Sequence, residues 1–449
     1  MPLLMACALL LGPIAVAQQP GAAPVDVSGT VSQGALAFSG QDIRVYPGVL
    51  EPQMAVSLAI ARHPEILGAV ALIARREAEV ALAKSDRWPT IQYGLGPGYG
   101  RSYGLADNEW AVRGNLGIDQ PLVDFGLTSA RIRAAKNMQE AAQANRLDTV
   151  EKVAEATLSA YVDAVVAQER LVASQGAITA MQQVQQRIDQ RTQAGLSDRS
   201  DLNAANIAVQ RAGIDAEQST TAVDAAVSRL IELIGVAPTR LAPLQQVHDL
   251  VANRRRGTPD FEQTPVIQMA HHSLDAAEDS VKAARAQRYP TIGVGVNRTF
   301  STGQASANDA TWYGLSVRGG ISLGGAARQR VAAANAERAA AEQELEARRL
   351  EVRTGWLVAA REEEGARRRL NDLRGVSSLW LQTRDLYWQE YILDKRALGD
   401  VINAEREIHS AEAEQIVATG DAATAAMRAL VLQGELVGLL QREAPDTGN

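Results

Sequence analysis

The chain has 449 residues, of which 46% are hydrophobic but only 4% aromatic, with 36 glycines and a formal net charge of −7. That mildly acidic balance argues against a general nucleic-acid binder, and no apolar run beyond the N-terminus reaches the eighteen or so residues of a membrane-crossing helix. The single cysteine, Cys7, lies in the N-terminal apolar stretch, so the remainder must be held by packing and assembly rather than disulfides.

Residues 1–17 read as a secretory signal peptide: an apolar run from Pro2 to Leu11, then Ala15-Val16-Ala17 as a small-x-small cleavage pattern before Gln18. No Lys or Arg precedes the apolar run, as a start placed downstream of the true one would leave it. Residues 18–50, rich in Gly, Ala, Pro and Ser without a steady period, read as an extended lead-in.

A first structural repeat is expected over 51–237. It opens with an Ala-rich helical pattern from about Gln53 to Arg87, interrupted at Pro64, and reaches Trp88-Pro89-Thr90-Ile91. That motif returns as Tyr289-Pro290-Thr291-Ile292, 201 residues on (290 minus 89), which marks a duplication of domain size. Each proline removes a backbone donor and biases the preceding residue away from helix, so the period changes there.

From Ile91 the apolar positions Ile91, Tyr93, Leu95 and Tyr99 alternate with Gln92, Gly94, Gly96 and Gly98, which predicts a strand over about 90–105. A second strand, about 109–123, sets Trp110, Val112, Leu116 and Ile118 against Arg113, Asn115, Gly117 and Asp119. The second repeat, 266–440, gives strands over about 290–303 and 311–324, with Ile292, Val294, Val296, Tyr313, Leu315 and Val317 on the apolar face. A soluble hairpin pair packed on helices would alternate in the same way. Two features favour a membrane: the strands exceed the usual five or six residues, and the opposite face is small and polar in all four.

Neither the stretch from Pro121 to Pro238 nor that from Pro290 to Pro445 contains a proline in between. A helix from Leu127 to Thr192 would run on the order of 100 Å, beyond what a globular core covers, so a coiled coil is expected. The returning helix carries a heptad of Leu202, Val209, Ala216, Val223 and Leu230 with Ala205, Ala212, Ser219, Ala226 and Leu233. The second copy repeats it 199 residues on (401 minus 202), as Val401, Ile408, Gln415, Ala422, Ala429 and Leu436 with Ala404, Ala411, Ala418, Ala425, Leu432 and Leu439. Glu362-Glu363-Glu364 and Arg367-Arg368-Arg369 are spaced as a solvated face of local ion pairs. Prolines bracket 238–265, read as an inter-repeat linker, and 441–449 is a short polar tail.

No catalytic constellation emerges. The histidines are scattered, His271 and His272 project about 100° apart on a helix, and the glycines fall in strands rather than in a phosphate loop, so neither an enzyme nor a cofactor is expected.

The duplicated layout of helix, Pro motif, strand pair and long helices resembles the TolC family of outer-membrane channel proteins over essentially the whole chain after the signal peptide. Gln120-Pro121-Leu122-Val123-Asp124-Phe125-Gly126 resembles the family's passage from second strand into long helix, and Ile321-Ser322-Leu323-Gly324-Gly325 matches it more weakly. The resemblance implies an α+β membrane protein: long α-helical coiled-coil hairpins plus four transmembrane strands per chain, in a homotrimer with a twelve-stranded β-barrel continued by a periplasmic α-helical barrel. Ala194-Gly195-Leu196-Ser197 resembles the tip that docks a periplasmic adaptor. Tyr391, Arg396 and Asp400 stand in the order of the residues that constrict the periplasmic entrance. Asn403 occupies a place where some members carry a second acid, and Asp394 stands where a glycine is common. Implied partners are the adaptor, an inner-membrane transporter of ABC or RND type, and outer-membrane lipid, with no nucleic acid. The run from Lys395 to Glu407 resembles the type I protein secretion branch more than the drug-efflux branch. A soluble periplasmic coiled-coil scaffold is the alternative from another class.

Overall fold

The structure, a computed structural model, describes residues 44–100, 109–252, 259–302, 310–320 and 324–442. The expected signal peptide, most of the lead-in, the strand ends at 101–105, 303 and 321–323, Arg254-Arg255-Arg256 and nearly all of the tail lie outside them.

In chain order the elements are β1 (Arg44–Leu50), α1 (Pro52–Arg62), α2 (Pro64–Ser85), β2 (Thr90–Gly100), β3 (Glu109–Val123), α3 (Leu127–Gln193), α4 (Arg199–Ile234), β4 (Val236–Leu241) and α5 (Leu244–Ala252). A 3₁₀ turn (Phe261–Gln263) leads to α6 (Pro265–Ala286), β5 (Thr291–Ser301), β6 (Ala310–Arg318), α7 (Ala326–Ile392), α8 (Leu398–Val431) and α9 (Leu436–Arg442). Proline at the first position opens α1, α2 and α6, where its missing N–H is no loss. The two 67-residue helices, α3 and α7, each start after a left-handed glycine, Gly126 and Gly325. At the first of these Asp124 supplies the missing acceptors, taking the Gly126 N–H at 3.0 Å and the Thr128 N–H at 2.6 Å.

The four long strands form one antiparallel sheet in the order β2-β3-β5-β6. Register puts Ile91, Ile118, Val296 and Tyr313 in one row across a face, and Gly94, Asn115 and Thr299 in a row across the other. The apolar face has no cover: Tyr93 is 85% exposed, Trp110 73%, Tyr313 78% and Leu315 65%. A soluble protein packs such a sheet face, so these exposures call for a non-aqueous surround. On the polar face Arg318 pairs with Asp119. Both edge strands, β2 and β6, have one neighbour each, so the sheet does not close on itself.

No single helix among the described residues is long and apolar enough to cross a membrane. α3 packs against α4 and α8 below, and against α2 and α6 nearer the sheet, while α7 packs against α8 and α6. The heptad positions do the packing, with Ala205, Ala212, Ala216, Val401, Ala404, Ile408, Ala411, Ala418 and Ala422 buried. The seam ends earlier than the heptad suggested, since α8 stops at Val431 and α9 turns away by 107°. Gly434 sits at φ +69 in the break, and a Cβ there would come within 2.7 Å of Pro265 Cδ. Leu436 and Leu439 therefore enter a different core.

That core corrects the reading of 238–265 as a linker. β4 pairs in parallel with β1, and α5 lies on α8. Leu50, Leu158, Tyr161, Leu230, Ile234, Leu244, Val247, Met427, Leu436 and Leu440 are all buried in one cluster. The physical reason is that short segments with no long period of their own gain their order by covering the middle of α3 and the ends of α4 and α8. The acidic and basic runs also do more than expected. Arg367 and Arg368 pair locally with Glu363 and Glu364, but Arg369 reaches Asp421 at 3.0 Å and Glu362 takes Arg428 at 3.2 Å, both across to α8.

Candidate functional site

Two turns end the helical hairpins, and their backbones are built alike. The Leu196 N–H closes onto the Arg191 carbonyl at 2.8 Å, and 199 residues on the Lys395 N–H closes onto the Glu390 carbonyl at 3.0 Å. Each closure passes through one left-handed residue, Gly195 at φ +70 and Asp394 at φ +55. Glycine enters that region freely, and a short polar side chain such as aspartate is the next best tolerated. Asp394 thus keeps the second turn in the geometry of the first.

The turns lie against one another within one chain. Tyr391 is 5% exposed. Its hydroxyl donates to Asp201 Oδ2 at 2.7 Å, and the single proton of the Ser197 hydroxyl is shared between the Tyr391 oxygen and Asp201, 3.1 Å away. Trp388 stacks on the Tyr391 ring at 5.7 Å between centroids, with Arg191 5.4 Å from the Tyr391 ring and Arg187 5.3 Å from Trp388. Burial raises the Tyr391 phenol above its ordinary pKa; the Ser197 hydrogen bond opposes this and the Asp201 charge adds to it, so the hydroxyl keeps its proton. Met181, Val184, Ile188, Leu398, Val401 and Ile402 form the apolar floor.

Arg396 stays inside its own turn. It pairs with Glu390 at 2.5 Å and Asp400 at 3.1 Å, and its guanidinium lies 3.9 Å from the centre of the Tyr387 ring. Tyr391 thus reaches the first hairpin of the same chain, while Arg396 braces the turn that carries it. Asp400 remains 45% exposed at its side chain. Asn403 does not join the cluster; it lines a groove of about 980 Å³ between α3, α4 and α8 with Arg170, Arg211, Arg406 and Glu407. Leu196 stands 61% exposed at the apex of the first turn, not packed beneath it. Ser197 belongs to both turns at once.

Sequence reasoning missed Asp201, Trp388, Glu390 and Tyr387. One signal was available: Tyr387, Trp388 and Tyr391 cluster in a chain that is 4% aromatic.

An uncovered apolar strand face continued by two long helical hairpins is the architecture of a channel protein of the outer membrane, with its helices in the periplasm. The chain belongs to the outer membrane efflux protein family, whose model matches residues 55–236 and 261–432. Family and fold are those of channels and not of enzymes. The chain is similar to Protein CyaE of Bordetella pertussis, 29% identical over 299 residues, which are 63% of this chain and 62% of that protein. It is also similar to the cobalt-zinc-cadmium resistance protein CzcC of Cupriavidus metallidurans, 25% identical over 40% of this chain and 44% of that one. The chain thus spans less than two thirds of either relative. Among solved structures it shares the fold of CusC, described as forming a transmembrane channel, with a TM-score of 0.75 at 13% identity over 88% of this chain and 95% of that one.

Proposed function

We propose that three copies of this chain close one twelve-stranded barrel and serve as the outer-membrane exit duct of a tripartite transport system. A periplasmic adaptor docks at Gly195, Leu196 and Ser197, and an inner-membrane transporter drives the cargo. The sheet supports the assembly: four strands with two unpaired edges lie below the eight or so of the smallest single-chain barrels, and three chains supply enough. The observation that carries the reading is the bond from Tyr391 to Asp201. It links the turn that bears Asp400 to the turn that bears Leu196, so a partner on the apex of the first hairpin acts on the residues nearest the duct's inner mouth. Three Asp400 carboxylates around an axis would favour cations.

The cargo we infer is a secreted protein carried by an ABC-type transporter, on the likeness of Lys395–Glu407 to the type I secretion branch. A second reading, efflux of small solutes or metal ions by an RND-type pump, is favoured by the similarity to a metal-resistance protein.

Mass measurement of the detergent-solubilised protein and planar-bilayer recording test the duct. A trimer is expected, with cation selectivity that Asp400→Ala weakens and conductance that Tyr391→Phe combined with Arg396→Ser raises. A conducting monomer, or variants that fold and conduct like the parent, would overturn it. Leu196→Ser should abolish export while leaving trimer yield and thermal stability unchanged; loss of both together would make Leu196 a packing residue of the turn.

A further inference from the structure

The apolar face of β5 runs Ile292, Val294, Val296, and then meets Arg298. Register places Arg298 between Leu116 on β3 and Thr311 on β6, with Phe300 two residues farther along the same face. It is exposed, and among the described residues it has neither an ion-pair nor a hydrogen-bond partner, whereas Arg318 on the opposite face is paired with Asp119. A bare guanidinium among Leu, Val and Phe needs an explanation.

Its height supplies one. Tyr289, exposed and 5.2 Å from the Phe125 ring, marks the inner rim of the apolar band. Arg298 is nine residues on (298 minus 289). At about 3.3 Å per residue and a tilt of roughly 40°, that is about 23 Å higher, beside the outer rim of a band roughly 25 Å tall. An unpaired arginine costs about 2–4 kcal/mol at mid-bilayer but only about 0–1 near the interface, so the site is tolerable there without a ligand and favourable with one. Lipid phosphates lie at this height. The planar fork of arginine matches two phosphate oxygens, the Thr311 hydroxyl on the adjoining strand adds a donor, and Leu116 and Phe300 offer apolar surface to an acyl chain.

Neighbouring copies leave the position open. β5 is an inner strand in the order β2-β3-β5-β6, and barrel closure engages only β2 and β6. We propose that Arg298, with Thr311, grips a headgroup phosphate of a phosphorylated lipid in the outer leaflet, once per chain; this rests on the reading of the sheet as a lipid-facing barrel wall.

The test compares wild type, Arg298→Gln and Arg298→Lys, purified in mild detergent, by native mass spectrometry. The probes are a bis-phosphorylated lipid A, its dephosphorylated form and inorganic phosphate. Wild type should hold the phosphorylated lipid about fivefold more tightly per site than Arg298→Gln, the ratio of about 1 kcal/mol per interfacial cation, with Arg298→Lys between them. The dephosphorylated lipid should not distinguish the three, and millimolar inorganic phosphate should not displace the lipid. Equal retention by wild type and Arg298→Gln, or displacement by inorganic phosphate, overturns the site. Outer-membrane fractionation and heat-modifiability are measured on the same proteins. If the variants assemble normally yet retain lipid equally, the lipid site falls and the duct stands; if wild type does not fractionate with the outer membrane, both fall.

Discussion

The Tyr391 hydroxyl donates to Asp201 Oδ2 at 2.7 Å, joining the end of the second long helix to the first turn of the helix that returns from the first hairpin. The duplication explains why the bond runs this way. Asp201 and Asp400 are counterparts 199 residues apart (400 minus 201), as are Ser197 and Arg396 (396 minus 197). Each of the latter donates to its aspartate at 3.1 Å. Ser197 leaves Asp201 with capacity for Tyr391. Arg396 instead is shared between Asp400 and Glu390, so the second turn holds itself and keeps one net negative charge.

A hydrogen bond to a charged acceptor contributes about 1.5–3 kcal/mol, so Tyr391→Phe and Asp201→Ala should each loosen the tips by about that much. Because they remove the same contact, the double variant should cost much less than the sum. Native-state hydrogen exchange over 181–205 and 387–402 reads both quantities. Simple additivity would mean that the contact carries no coupling.

A second tie holds the region between sheet and hairpins. Tyr161 is fully buried, donates to the Leu50 carbonyl at 2.6 Å and accepts from the Ala242 N–H at 2.7 Å; burial pushes its phenol up to about 12. It therefore fixes the ends of β1 and β4 to α3. Tyr161→Phe keeps the ring and strands two buried backbone groups at about 1–3 kcal/mol each, so a loss of roughly 2–6 kcal/mol is expected in the denaturant unfolding of the solubilised protein. A shift below half a kilocalorie would mean that water replaces the hydroxyl.

How much of this was legible depended on periodicity. The alternation from Ile91 to Tyr99 and the proline-free stretches are repeated many times over, so β2, β3, α3 and α7 could be read directly. β4, α5 and α9 are six to nine residues long and owe their order to the cluster around Tyr161 and Leu436, which no local pattern announces. The end of α8 was signalled only by Gly434, while the leucine heptad ran on past it. Tyr391 was picked out by resemblance, but its partners Ser197 and Asp201 lie 194 and 190 residues away, and one sequence does not pair such distant residues.

The two faces of β6 make a matched experiment. Leu315 is 65% exposed on the apolar face, while Ser316 on the other face hydrogen-bonds to the Gly293 carbonyl at 3.3 Å. Leu315→Lys should cost about 2–4 kcal/mol if it meets lipid near mid-bilayer, and Ser316→Lys much less. The yield of heat-modifiable oligomer in outer-membrane fractions separates them, and the reverse order would exchange the lipid and lumen faces.

The last expectation concerns pH. Glu151 is 6% exposed and accepts from the Val437 N–H at 3.3 Å, at the start of α9. Burial, opposed by the N–H groups of Val437 and Leu436 and reinforced by the charges of Asp148 and Glu155, pushes its carboxyl up to about 7. Around it Lys152 pairs with Asp148 at 2.7 Å and Arg428 lies 3.9 Å from Glu155, whose own pKa is raised by burial. Below about pH 4.5 the folded and unfolded chains both hold the Glu151 proton. Between about 4.5 and 7 only the folded chain holds it, so stability falls as pH rises, by up to roughly 3 kcal/mol at 1.36 kcal/mol per unit, and levels off above that range. The solubilised protein should therefore melt higher at pH 5 than at pH 8. Glu151→Gln keeps an acceptor for Val437 and removes the titration, so its melting temperature should vary less across that range and exceed the wild-type value at pH 8. A wild-type pH slope unchanged in Glu151→Gln would assign the dependence to Glu155 instead.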